Sequence, residues 1–117
     1  PGSVCLSEDH PYLAKAYMQT HYQLHAVFNR ETTQKTTAKE RAEIFLSYLI
    51  DEDIKLIAAL RGGEGSADLI PYLQQHHAVI KQLKPKPLMG LSDITALLIY
   101  FYQQYQWPTI HGPSPLQ

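Results

Sequence analysis

The sequence predicts an α/β protein, with a largely parallel sheet flanked by helices in three layers. Two short apolar runs, residues 54–60 and 87–89, predict buried strands, and each is followed by a turn and then by a helical pattern. Further helical patterns precede the first run. Because parallel strands are joined by long crossovers that usually contain a helix, this alternation favours a parallel sheet.

The first helix is predicted at residues 11–24, where apolar positions recur at spacings of four and seven residues. These positions predict one face of an amphipathic helix: Leu13, Tyr17 and Leu24. Residues 23–28 then hold alternating and β-branched apolar positions, which predict a strand. The polar stretch at 29–37 predicts a loop.

The second helix has the best-defined start in the chain. Thr37 and Glu40 have the spacing of a capping box, in which each residue satisfies a backbone N–H of the other. The apolar face that follows is Ala38, Ala42, Phe45 and Leu49. Further along, Ser66 is predicted to cap a short helix that Pro71 interrupts, and the apolar run at 94–102 predicts a helix buried on most sides.

Composition limits the class of protein. The 117 residues are about one domain, with 44% apolar and 18% charged residues and a net charge of −1 without a basic stripe, which gives no support to nucleic-acid binding. Cys5 is the single cysteine, so an intrachain disulfide is excluded and a reducing compartment fits. No apolar run approaches the roughly 18 residues that span a bilayer, and residues 1–5 lack the features of an export signal. We expect a cytoplasmic protein that binds neither nucleic acid nor membranes.

Ser92 is the candidate nucleophile, because it lies between the second strand and the buried helix. Such a turn places a serine hydroxyl at the carboxyl edge of a parallel sheet, and the amide of Asp93 could then point at an oxyanion. The hydrolase pattern G-x-S-x-G is incomplete, since Ile94 stands at its second glycine. On spacing alone, a serine before a helix is more often an N-cap.

The glycine-rich segment RGGEG, residues 61–65, is the second candidate feature. Its backbone amides could bind an anion or supply a second oxyanion donor, although a glycine-rich turn between strand and helix is more often only a turn. It matches neither of the common nucleotide-binding motifs.

Together these motifs resemble the serine L,D-carboxypeptidases, a family that includes the microcin C immunity proteins. The resemblance is carried by IKLIAALRGGEGSADLIPYL at 54–73, PKPLMGLSDITALL at 85–98, HGP at 111–113 and, more weakly, ERAEIFLSYLIDEDIK at 40–55. The pair G-x-S-D-x-T and R-G-G-x-G at this separation is specific to the family.

The resemblance implies roles for individual residues. Ser92 would be the nucleophile, and the amides of Asp93 and Gly63 would be the oxyanion donors. A histidine would serve as general base and a glutamate would orient it, both in a C-terminal domain outside this sequence. Neither a metal nor an organic cofactor is implied. The candidate substrate-binding residues are Arg61, Gly62 and Glu64.

The implied reaction is removal of the terminal D-alanine from murein tetrapeptides through an acyl-enzyme. Two alternatives stay open: a microcin-immunity-type peptidase that cleaves a peptidyl-nucleotide, and a non-catalytic α/β binding or assembly module. We expect residues 1–117 to form a single domain, the N-terminal half of a two-domain enzyme. Without its C-terminal domain this half should be inactive and should form a homodimer through uncovered apolar surface and an unpaired sheet edge.

The remaining candidates have simpler interpretations. His111 is expected to shape the loop that leaves the sheet, and His21 and His25, spaced like a helical metal pair, lack a third ligand. Glu64 stands where the family commonly has an aromatic residue, which leaves the polarity of the substrate pocket open. The aromatic residues near the end of the last helix are expected to pack in the core: Tyr100, Phe101, Tyr102, Tyr105 and Trp107.

Overall fold

The computed structural model describes residues 10–27, 36–60 and 62–113. The helices of this part of the chain are α1 (His10–Tyr22), α2 (Ala38–Ile50), α3 (Ile70–Gln74), α4 (His77–Ile80) and α5 (Thr95–Tyr105). The strands are β1 (Ile57–Ala58), β2 (Leu88–Gly90) and β3 (Thr109–His111). Short 3-10 helices, Ala67–Leu69 and Ser92–Ile94, lead into α3 and α5. The predicted α/β class is confirmed.

The described strands form a parallel sheet in the order β1-β2-β3. Leu88 at the start of β2 is paired with Ile57 on one side and with Thr109 on the other. β2 is therefore the central strand, and both of its neighbours run in its direction. The two strands predicted from apolar runs are present, although β1 is only partly buried rather than buried as predicted. β3 was not predicted.

The capping box at the start of α2 is present as predicted. The backbone N–H and the hydroxyl of Thr37 both donate to the Glu40 carboxylate at 2.8 Å, and the Glu40 N–H donates to Thr37 Oγ1 at 3.2 Å. The hydrogen bonds from the backbone and side chain of Thr37 lower the pKa of Glu40 below its ordinary value. On the face that follows, Ala42 and Leu49 are buried as expected.

Replacing Thr37 with alanine is expected to lower the free energy of unfolding by about 1 kcal/mol, because the helix loses its side-chain cap. Since the folded-state pKa of Glu40 is lowered, the hydrogen bonds to its carboxylate stabilise the protein above the unfolded-state pKa and cease to do so as pH falls through the folded-state value. The difference in the free energy of unfolding between Thr37→Ala and the native protein should therefore become smaller as the pH is lowered. Urea unfolding at several pH values measures both effects, with Thr36→Ala as the matched control. An equal loss of unfolding free energy in the two variants would contradict the assignment of Thr37 as the helix cap.

Two expectations near the N-terminus are corrected. Residues 23–27 do not form the predicted strand, and the rest of that segment and most of the loop after it lie outside the described residues. The predicted helix is present as α1, but its expected apolar face is exposed: Leu13 by 63%, Tyr17 by 51% and, just beyond the helix, Leu24 by 48%. Ala14 is the buried apolar side chain of α1 among the described residues. The spacing predicted the helix correctly but not its packing.

The core is organised around α5. Phe101 is fully buried, with its ring edge-on to Phe45 of α2 at 5.6 Å and 5.3 Å from the ring of Trp107. Tyr100 and Trp107 are also buried, as predicted. Tyr102 is 64% exposed, so the expectation that this helix is buried on most sides is wrong for its outer face.

Lys86 is a charged residue within the core. Its ammonium group donates to the carbonyl oxygens of Tyr48 at 2.9 Å and Asp51 at 2.7 Å, which belong to the last turn and the cap of α2. Burial lowers the pKa of this lysine, and the two carbonyl contacts offset the loss of hydration. Lys86 thereby ties the C-terminal end of α2 to the segment that enters β2. No helix in the described ranges is long and apolar enough to cross a bilayer.

Candidate active site

The carboxyl ends of the three strands meet at one edge of the sheet, because the strands are parallel and in register. β1 leads into the glycine loop, defined here as residues 62–65, and β2 leads into Ser92. β3 ends at His111, whose backbone is paired with Gly90. In open α/β sheets, ligands bind outside this edge. Two sequence motifs far apart in the chain therefore lie at the same place.

Ser92 has a strained backbone. Its φ is 61°, in the left-handed region that residues with a side chain rarely occupy. Leu91 before it is extended, with φ −142° and ψ 171°, so the chain turns sharply at the serine. The side chain is exposed at this turn. The N-cap interpretation of Ser92 is wrong, because Leu91 is the cap residue and Ser92 is the first residue of the 3-10 helix.

Gly90 allows this turn to pack against the helix that follows. A Cβ atom at Gly90 would lie 2.4 Å from Ile94 Cγ2, which is closer than Cβ atoms approach their neighbours, and a tight 3.0 Å from Ala59 Cβ. The small residue therefore lets β2 pass directly beneath the start of the helix. Its carbonyl oxygen also accepts a hydrogen bond from the N–H of Gly112 at 3.0 Å.

The variant Gly90→Ala is expected to lower the free energy of unfolding by about 2 kcal/mol or more, because the added methyl group overpacks this turn. Gly112→Ala is the matched control, since its added Cβ would meet only Ile110 Cγ2 at an ordinary 3.7 Å. Urea unfolding of the two variants provides the comparison. A loss for Gly90→Ala no larger than that for Gly112→Ala would show that the turn relaxes freely.

Gly62 brings the glycine loop into contact with Ser92. A Cβ atom at Gly62 would lie 3.0 Å from Ser92 Cβ and 3.3 Å from its hydroxyl oxygen. A larger residue would therefore require the serine side chain or the loop to shift by a few tenths of an ångström. Gly63 and Gly65 have φ of 148° and 83°, so the path of the loop also requires glycine.

A contact between Ser66 and Asp93 joins the glycine loop to the serine turn. The Ser66 N–H donates to Asp93 Oδ2 at 2.9 Å, and the Ser66 hydroxyl donates to the Asp93 carbonyl oxygen. Ser66 is completely buried. Ser66 is the N-cap residue of the first 3-10 helix, as predicted, but its side chain makes no capping bond and instead contacts a residue 27 positions away.

The other predicted site residues are placed as follows. Gly63 lies in the glycine loop next to Gly62, and Glu64 is exposed in the same loop. Arg61 lies outside the described residues. His111 is exposed as the last residue of β3, where the chain leaves the sheet. The structure thus brings Ser92, Asp93 and the glycine loop together.

His21 and His25, the histidines spaced like a helical metal pair, contact residues of their own N-terminal segment. His21 stacks on Tyr17, with ring centroids 4.3 Å apart, and His25 Nδ1 lies 3.4 Å from the side-chain oxygen of Gln19. Within the described residues, no three His, Cys, Asp or Glu side chains lie close enough together to hold a metal ion.

The parallel sheet, the strained serine turn and the adjoining glycine loop define a class of α/β domain with a candidate nucleophile at the carboxyl edge. The family model of the LD-carboxypeptidase N-terminal domain, in the peptidase S66 family, matches residues 4–112. The chain therefore belongs to this family, and the resemblance read from its motifs is confirmed.

Individual relatives agree with this assignment. The chain is 45% identical over 66 residues to a protein of Rickettsia conorii that carries the name carboxypeptidase, covering 56% of the chain and 20% of that relative. It is 38% identical over 78 residues to the microcin C7 self-immunity protein of Escherichia coli, covering 67% of the chain and 22% of the relative. It is 36% identical over 77 residues to the murein tetrapeptide carboxypeptidase of Pseudomonas aeruginosa, covering 66% of the chain and 24% of the relative. The matched segments thus span about a fifth to a quarter of these relatives.

Proposed function

We propose that the protein is a serine hydrolase that removes the terminal D-alanine from murein tetrapeptides, with Ser92 as its nucleophile. The observation that carries this proposal is the left-handed backbone of an exposed serine, with φ 61°, at a strand-to-helix turn. A strained turn of this kind holds a hydroxyl away from the sheet and is typical of nucleophile positions. Membership of a carboxypeptidase family supports the reaction type.

The geometry suggests how the reaction proceeds. Ser92 Oγ attacks the carbonyl carbon of the last peptide bond and gives up its proton to a general base. The C–N bond then breaks, and D-alanine leaves with that proton on its amine. Water hydrolyses the acyl-enzyme and regenerates the serine. The backbone amides of Asp93 and Gly63 are the proposed donors to the oxyanion, because Asp93 directly follows the nucleophile and Gly63 belongs to the loop packed against it.

The general base is proposed to be a histidine oriented by a glutamate, as the family resemblance implies. As that resemblance also implies, the pair is proposed to lie in a C-terminal domain beyond the printed sequence. A serine hydroxyl without a base is a weak nucleophile at neutral pH.

The substrate is the finer part of the proposal. Similarity to the murein tetrapeptide carboxypeptidase supports a murein peptide, and nearly equal similarity to the microcin C7 self-immunity protein supports a second candidate, a peptidyl-nucleotide. The two candidates share the serine chemistry and differ in the group that follows the scissile bond.

Labelling tests the nucleophile, and product release tests the substrate. The protein expressed from its complete gene should react with a serine-directed fluorophosphonate at Ser92, and Ser92→Ala should abolish the labelling. D-alanine release from murein tetrapeptide is then compared with cleavage of a peptidyl-nucleotide. A folded protein that is labelled nowhere and cleaves neither substrate would favour a non-catalytic binding or assembly module.

A cytoplasmic location and a homodimer remain predictions from the sequence. Cell fractionation tests the location. Light scattering at about 100 μM protein tests the dimer, and a clean monomer would contradict it.

A further inference from the structure

We propose that Ser66 and the Asp93 carboxylate form a clamp that fixes the glycine loop at its working distance from Ser92, which makes Asp93 a positioning residue as well as an oxyanion donor. This inference rests on the proposed serine-hydrolase function. It assigns a role to the side chain of Asp93, which the motif alone did not suggest, and to Ser66, which the sequence marked only as a helix cap.

The glycine loop needs external support. It holds two glycines with positive φ within four residues, and such a segment has high conformational freedom. Two of the segments that hold it do so at its C-terminal end. Arg41 of α2 donates from Nη2 to the Gly65 carbonyl oxygen at 3.4 Å, and Ser66, the next residue, bonds to Asp93.

Ser66 and Asp93 share two hydrogen bonds, which restrict relative sliding of their segments. The Ser66 N–H donates to the Asp93 carboxylate at 2.9 Å, and its hydroxyl donates to the Asp93 backbone carbonyl. The bond to a carboxylate is charge-assisted and therefore stronger than one between neutral groups. Because Ser66 is completely buried, water competes little for its donors.

A simpler role for the Asp93 side chain would be favourable interaction with the dipole of the helix that begins at Ser92. That role requires only a negative charge in the first turn and no particular partner. The carboxylate instead accepts a hydrogen bond from a backbone N–H on another segment.

The clamp matters because both proposed oxyanion donors depend on it. One donor is the amide of Asp93 itself, and the other belongs to the loop that Asp93 holds through Ser66. Donors must lie about 2.7 to 3.1 Å from the developing oxyanion, and a displacement of about 1 Å can cost roughly 100-fold in rate. An unclamped loop would remain near Ser92 but would present its amide less accurately.

The test uses the protein expressed from its complete gene, with murein tetrapeptide as substrate. Asp93→Ala removes the acceptor and is expected to lower kcat about 100-fold while KM changes less than about threefold. Asp93→Asn keeps a side-chain carbonyl oxygen of the same reach and should recover kcat to within about tenfold of the native protein. Ser66→Ala removes only the hydroxyl bond and should cause an intermediate loss. Glu43→Ala, which removes an exposed carboxylate of α2, is the control and should leave kcat unchanged.

A second readout does not depend on activity. Hydrogen exchange of the amides of residues 62–66 should be about 10- to 100-fold faster in Asp93→Ala than in the native protein, and close to native in Asp93→Asn. If exchange in this loop is unchanged in Asp93→Ala, or if kcat of that variant stays within about threefold of native, the clamp is overturned. If Ser92→Ala retains activity, the proposed function fails instead, while the exchange result still decides whether the clamp exists.

Discussion

Replacing Ser92 with alanine is expected to abolish both fluorophosphonate labelling and D-alanine release in the protein expressed from its complete gene. Loss of a serine nucleophile typically costs on the order of 10⁴ to 10⁶ in turnover, and the remaining oxyanion donors and binding contacts leave a residual advantage over water of about 10³ to 10⁴. Substrate binding should persist, since the serine Oγ alone is removed. Release of D-alanine by the variant at more than about 1% of the native rate would exclude Ser92 as nucleophile.

The backbone of Ser92 offers a control for this result. An alanine at φ 61° keeps the steric cost of the left-handed conformation, whereas a glycine does not. Ser92→Gly should therefore be inactive like Ser92→Ala but more resistant to urea, by up to about 1 kcal/mol. This pattern would mean that the native residue is kept at a cost to stability, as expected of a functional position. If Ser92→Gly had a lower free energy of unfolding than Ser92→Ala, the inference that the backbone is strained at this position would be contradicted.

Local signals in the sequence predicted the elements that position the site. The capping box at Thr37 needs only residues three positions apart, and it is present with all its bonds. The apolar runs before the glycine loop and before Ser92 predicted β1 and β2, since a buried strand between polar turns is visible in composition alone. Parallel pairing of those strands then brought the two motifs to one edge.

Features set by tertiary contacts were not predictable in this way. The bonds between Ser66 and Asp93 join residues 27 positions apart, and Ser66 alone has the ordinary pattern of a helix cap. β3 has only three residues, Thr109–His111, and is a strand because β2 lies beside it rather than because of its own composition. Conversely, residues 23–27 have a strand-like pattern, yet they form no strand.

Exposure of the apolar face of α1 is likewise set by tertiary contacts rather than by local sequence. Spacing shows that Leu13 and Tyr17 share a face, but the other elements of the structure decide whether that face is covered. In the described residues both side chains are about half exposed or more, at 63% and 51%. Periodicity therefore predicted the helix, and packing had to be observed.

A polypeptide of the printed 117 residues is expected to release no measurable D-alanine, at least about 10⁴-fold less than the protein expressed from its complete gene. The chain carries the proposed nucleophile and both proposed oxyanion donors, whereas the general base that would accept the serine proton is proposed to lie in the C-terminal domain. Incubation with murein tetrapeptide tests this, with the Ser92→Ala polypeptide as the blank.

A folded 117-residue chain that released D-alanine at an enzyme-like rate, in a manner abolished by Ser92→Ala, would show that the base is internal. His111 would then be the first candidate, because it is exposed at the carboxyl edge of the sheet and its backbone is paired with Gly90, two residues before the serine. His111→Ala should in that case remove the activity. The pH profile of kcat/KM before the substitution should be bell-shaped, with one limb set by the ionisation of this histidine. If the base instead lies beyond the printed sequence, His111→Ala in the complete protein should lower kcat by far less than Ser92→Ala does.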